Sequence, residues 1–149
     1  MLSHDAFPCA TLGSPPQSQW VTWVHHERAN CVIYADGTIG MMPAADGYRP
    51  AAGLGGRIAD EFPRLLGADM PRFELVAFDE LIDSANACPE HRNAIAEAII
   101  QRYDDFDGFV VLQVTDTLAY TATALSFMIF GLAEPVITTG SLIPRAPLA

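Results

Sequence analysis

Short, mostly apolar runs recur along the chain, bounded by polar or glycine-bearing turns. Cys31 to Tyr34, Phe73 to Phe78 (FELVAF) and Pro135 to Thr138 read as strands, and Phe109 to Leu112 is a continuous apolar run of the kind found in strands buried on both faces. Segments with helical spacing lie between them. Arg57 to Leu66 reads as a helix interrupted at Pro63, since proline lacks the N–H that a helix interior needs. Pro89 to Tyr103 reads as a stronger helix, with proline in its first turn and Ile95, Ala98, Ile99 and Arg102 at helical intervals. A charge-free run from Thr117 to Ala133 forms a third, entered through Thr115-Asp116-Thr117, whose side chains suit a helix start. Thr38 to Gly56 holds five glycines and two prolines, which predicts a mobile surface loop able to act as a lid.

Strands that alternate with helices in this way predict an α/β fold with a doubly wound, mostly parallel sheet. The helix over 89–103 and the charge-free helix are expected to cover opposite faces of that sheet, burying Ile99, Val110, Leu112, Leu125 and Met128. A length of 149 residues suits one core. Residues 1–29, with SPPQSQ, Trp20, Trp23, His25 and His26, show no sustained period and read as a poorly ordered extension. Residues 30–149 then form the domain.

Half the residues are apolar and 17% are charged, which excludes a disordered polar tail. The 8 basic residues are all arginine and face 18 acidic ones, for a net charge of -10. That field repels phosphate backbones and anionic lipid surfaces, so neither nucleic acid nor membrane is an expected partner. The charge-free run falls short of the roughly 20 residues that a membrane span needs. Cys9, Cys31 and Cys88 cannot all pair and have no CxxC spacing, which fits a reducing compartment. The N-terminus has no basic segment followed by an apolar one and does not read as a secretory signal.

In doubly wound sheets, ligands bind beyond the carboxyl ends of the strands. Asp36-Gly37-Thr38, Asp83-Ser84 and Thr115-Asp116 fall there, all rich in hydroxyls and carboxylates. Paired threonine hydroxyls beside an acid can support nucleophilic chemistry on a small polar substrate. Spacing alone favours a plain turn at Thr38 and a helix cap at Thr115-Asp116-Thr117. Glycines 53, 55 and 56 make no dinucleotide fingerprint, and a phosphate-binding GxxxxGK[ST] loop is impossible without lysine. His25, His26 and Cys31 make a poor metal set, because adjacent histidines point apart. His4 and His91 lie far from any predicted strand end, so no Ser/His/Asp triad is expected.

The segments CVIYADGTIGMM, DGYRPAAG, LIDSAN and YDDFDGFVVLQVTDTLAYTATALSFMIFGLAEPVITTGSLIP occur in that order. Together they resemble the N-terminal domain of L-asparaginases of the bacterial cytoplasmic type, from about residue 30 to the last residue. The resemblance implies that Thr38 of DGTIG is the nucleophile and that Tyr48 of DGYRP, in the following flap, assists it. It implies that Thr115 and Asp116, matching the family's HGTDT motif, activate water or the amide and hold the substrate amino group. Ser84 of DSAN matches a serine that binds the substrate carboxylate, and Ala85 beside it lines the same subsite without a polar group.

The implied reaction is two-step hydrolysis of asparagine to aspartate and ammonia through an acyl-threonine ester, with no cofactor and no metal. The resemblance further implies a cytoplasmic homo-oligomer and a chain that stops before the rest of this domain and the family's smaller C-terminal domain, with the family's catalytic lysine in that missing part. The departures are Asp36 in place of a glycine, and QVTDT in place of HGTDT with Val114 at the glycine position. With the absent lysine, they raise the alternative of a non-catalytic remnant or small-ligand-binding domain of the same family.

Overall fold

The computed structural model describes residues 29–35, 37–51, 53–78 and 88–144. In chain order these form β1 (Ala29–Tyr34), β2 (Met41–Ala44), β3 (Gly47–Pro50), α1 (Leu54–Glu61), β4 (Arg72–Ala77), α2 (Pro89–Ile100), β5 (Gly108–Leu112), α3 (Leu118–Met128) and β6 (Val136–Thr139). The four apolar runs become one parallel sheet in the order β4-β1-β5-β6. The expected extension at 1–29 lies outside the described residues except for Ala29, the first residue of β1.

Strand order decides where the helices go. A right-handed crossover places its helix on one face when the chain steps one way along the sheet and on the other face when it steps back. The step from β1 to β4 goes one way, and the steps from β4 to β5 and from β5 to β6 go the other. Accordingly α1 covers one face, with Leu54 packed among Tyr34 and Leu75. Both α2 and α3 cover the opposite face, where Ile95, Ala96, Ala98, Ile99 and Leu125 join Cys31, Ile33, Val76, Phe109 and Val111 in one cluster. The expectation that α2 and α3 take opposite faces is therefore corrected.

Burial follows from this layout. Ile99 and Leu125 are buried, as expected, but Met128 is 37% exposed. A helix without charge on any side carries no amphipathic mark of its inward face, and α3 turns Thr121 and Leu125 inward while Met128, Phe127 and Tyr120 face out. Val110 and Leu112 are only half-buried. They lie on the α1 side, where a helix of 8 residues covers β1 and β4 and leaves β5 and β6 partly open.

The stretch 38–56 is not a loop. Thr38–Gly40 form a 3₁₀ turn, β2 and β3 pair as an antiparallel hairpin, and α1 has begun by Leu54. The Arg49 guanidinium forks onto the Asp46 carboxylate across the hairpin turn, at 2.6 and 3.2 Å. Prolines 43 and 50 disguise these strands as loop, yet an isolated two-stranded ribbon has free edges where a missing N–H costs little.

Candidate active site at the carboxyl edge of the sheet

In this strand order the direction of winding reverses between β1 and β5, so the segments that leave these two strands diverge to opposite faces. Such a switch point opens a crevice at the carboxyl edge. Thr38 follows β1 and Thr115 follows β5. The fold thus brings the segments that carry these two residues, far apart in sequence, to one edge of the sheet.

Their approach depends on small residues. Gly37 has φ 139°, a conformation open to glycine and strained for other residues. A Cβ there would stand 3.0 Å from the carbonyl carbon and oxygen of Gln113 and 3.3 Å from the Val114 nitrogen. Gly140, just past β6, stands closer still to the Gln113 carbonyl oxygen, and a Cβ on it would lie 3.2 Å from Cγ2 of Thr115. Gly37 and Gly140 thus supply the close backbone approach to the segment from Gln113 to Thr115.

Three contacts fix the Thr38 turn. The Gly40 amide donates to the Gly37 carbonyl oxygen at 3.1 Å. The buried Tyr34 hydroxyl lies 3.5 Å from the same oxygen. Arg57 on α1 donates through Nη2 to the carbonyl oxygens of Gly40, at 2.8 Å, and of Ala51, at 3.4 Å. The nucleophile candidate is therefore carried on a pinned turn.

The capping reading for the other hydroxyl fails. Thr117 is the N-cap of α3 but makes no side-chain capping bond, and α3 starts instead on backbone bonds, Leu118 N–H to the Thr115 carbonyl and Thr121 N–H to that of Thr117. Among the described residues, the hydroxyls of Thr38 and Thr115 form no hydrogen bond, so both remain available for a substrate. Thr38 and Thr115 are half-buried and Asp116 is exposed.

Tyr48 is not brought to them by any hydrogen bond. It sits on β3 opposite Pro43, 46% exposed. Asp36, Ser84 and Ala85 lie outside the described residues. Sequence reasoning passed over Gln113, which stands between Gly37 and Gly140 and is 5% exposed; its signal was the glutamine of QVTDT. A mostly apolar cavity of about 230 Å³ against α1, lined by Ile39, Leu54, Ile58, Phe62 and Leu65 with Arg57 and Glu61, lies beside the turn. Among the described residues no group of three metal-ligating side chains occurs, and no helix is long and apolar enough to cross a membrane.

A family model described as "Asparaginase, N-terminal" matches residues 31–148. The chain belongs to the asparaginase family. It is 48% identical over 117 residues to L-asparaginase 1 of Escherichia coli, an alignment covering 78% of this chain and 35% of that protein. Among solved structures, L-asparaginase I from Vibrio cholerae superposes with a TM-score of 0.75 at 41% identity, covering 83% of this chain and 37% of the other. The thermostable L-asparaginase from Thermococcus kodakarensis superposes with a TM-score of 0.67 at 33% identity, covering 78% and 34%. This asparaginase-family chain spans about a third of the length of the curated relatives it matches.

Proposed function

We propose that this chain is an L-asparaginase-type amidohydrolase domain in which Thr38 attacks the side-chain amide carbon of asparagine. In the first step a bond forms between Thr38 Oγ1 and that carbon, the C–N bond breaks, and the amide nitrogen leaves as ammonia carrying the hydroxyl proton. In the second, water attacks the acyl-threonine ester, giving aspartate and restoring the hydroxyl. Thr115 serves as the second hydroxyl beside the reacting centre, and Asp116 holds the substrate ammonium. Tyr48 assists from the hairpin, and Ser84 with Ala85 lines the carboxylate subsite. The observation that carries this reading is the pair of unengaged threonine hydroxyls on either side of the switch point. A cytoplasmic homo-oligomer belongs to the same reading, and the outward stripe of Tyr120, Phe127 and Phe130, at 69%, 70% and 81% exposure, supports association with further protein.

A second reading is favoured by one fact of composition: the chain contains no lysine. Arginine stays protonated and cannot act as the base that a threonine nucleophile needs. Under this reading the chain binds the small substrate or product without turnover. Two measurements on the purified 149-residue chain separate them. Ammonia release from asparagine that disappears in Thr38→Ala supports catalysis. Calorimetric binding of aspartate that is lost in Asp116→Ala, with no ammonia released, supports the binding domain. The absence of both overturns the site.

A further inference from the structure

Two buried donors stand without partners in this fold. Gln113 is 5% exposed, and its Nε2 is buried with no hydrogen-bond acceptor; Nε of Arg92 is likewise buried and unpartnered. Arg92 also lacks an ion pair among the described residues, in a chain with 18 acidic side chains. Folded proteins keep few such orphans, and each calls for an explanation.

Their positions coincide in the architecture. The inward side of α2 carries Ile95, Ala96 and Ile99. Arg92 lies three residues before Ile95 and four before Ala96, and so continues that stripe one turn toward the start of the helix. On β5 the residues facing α2 are Phe109 and Val111, and Gln113 is the next position in that alternation. The chain leaves β4 at the carboxyl edge of the sheet and returns through α2, so the start of α2 and the end of β5 lie at the same edge. Arg92 and Gln113 thus end their two stripes at one end of one layer, over Ala35 and Phe78, which close the cluster there. The Thr38 turn belongs to the other layer, since Ile39 packs with the α1 cluster.

We infer that Arg92 and Gln113 form a subsite for a small carboxylate at the carboxyl edge of the layer between α2 and the sheet. The guanidinium Nε–H and an Nη–H make a planar fork that fits the two oxygens of one carboxylate, and the Gln113 amide supplies a further donor. A single guanidinium in a chain of net charge -10 balances a monoanion and not a phosphate dianion. The subsite lies in the other layer from the Thr38 turn and does not depend on the asparaginase reading.

The test is a titration of the ¹⁵N-labelled chain with sodium acetate, at ionic strength held constant with sodium chloride, following the Arg92 Nε–H and Gln113 side-chain amide resonances. Both sets are expected to shift together along one saturable curve. Arg92→Gln raises the midpoint roughly tenfold or more, the scale of a lost charge-assisted hydrogen bond, and Gln113→Leu raises it by a smaller factor. Thr38→Ala leaves it unchanged. Should Arg92→Gln not fold, Arg92→Lys keeps the charge without the fork and is expected to weaken binding as well. The inference is overturned by the absence of a saturable shift, by a Gln113 response that survives both Arg92 substitutions, or by inorganic phosphate binding as tightly as acetate.

Discussion

The backbone of Gly37 packs against the peptide of Gln113, with no room for a side chain between them: a Cβ on Gly37 would stand 3.0 Å from both the carbonyl carbon and the oxygen of Gln113. This contact sets the distance between the segment that carries Thr38 and the one that carries Thr115. Gly37→Ala must therefore either shift the Thr38 turn or tolerate a strained backbone at φ 139°. The expected cost is about 1–3 kcal/mol of stability, read as a lower urea midpoint with an unchanged slope. An unshifted midpoint would show that the two segments give way freely.

The shared face of α2 and α3 makes a paired prediction. Ile99 is completely buried in the cluster that also contains Leu125, so Ile99→Ala should cost about 2–5 kcal/mol. Met128, 37% exposed on the same layer's outer side, should change stability by no more than about 0.5 kcal/mol as Met128→Ala. Equal losses in the two variants would mean that α3 is rotated relative to this arrangement.

Tyr103 ties the end of the α2 connection to the segment before β6. Its hydroxyl accepts hydrogen bonds from the Ala133 amide at 2.6 Å and the Glu134 amide at 3.2 Å, and its ring stacks on Phe109 with centroids 6.2 Å apart. Tyr103→Phe keeps the stack and leaves two amides short of an acceptor, for an expected loss of about 1 kcal/mol. Tyr103→Leu, which also removes the stack, should cost more. Thermal melts of the two variants and the parent protein provide the comparison.

Burial pushes the Cys31 thiol up to about 12, the Arg102 charge opposing and Glu74 adding to the rise. The thiolate is the reactive form, so the native protein at pH 8 should resist alkylation at Cys31 by iodoacetamide. The same treatment in urea should modify it fully. Peptide mapping by mass spectrometry reads the outcome, and rapid native labelling would mean that β1 is open to solvent.

Glu74, paired in register with Cys31 on the neighbouring strand, has a carboxyl pKa raised by desolvation, with Arg102 lowering it and Asp105 raising it. Between the unfolded value and this higher folded value the native state holds more protons than the unfolded one, so stability falls as pH rises through that window. Glu74→Gln, which cannot ionise, should raise the melting temperature at pH 7 and lose that advantage as pH falls below the ordinary carboxylate range. A parallel pH dependence in both proteins would place the carboxylate in water.

The sequence by itself determined which segments become strands and helices of the main layer. A continuous apolar run such as Phe109 to Leu112 marks a strand of a covered sheet, even though Val110 and Leu112 stay half-buried, and Pro89 in a first turn with Ile95 and Ile99 at helical spacing leaves little choice for α2. It also placed Thr38 and Thr115 at strand ends. Only the tertiary structure decided that α2 and α3 share a face, because that depends on β1 lying between β4 and β5, a long-range pairing with no local signature. Only the tertiary structure turned the glycine- and proline-rich stretch after Thr38 into a hairpin, since cross-strand partners such as Pro43 and Tyr48 stabilise each other only once paired. Gln113 and Arg92 are ordinary polar letters in the sequence; their unpaired donors come into existence when packing removes water from around them.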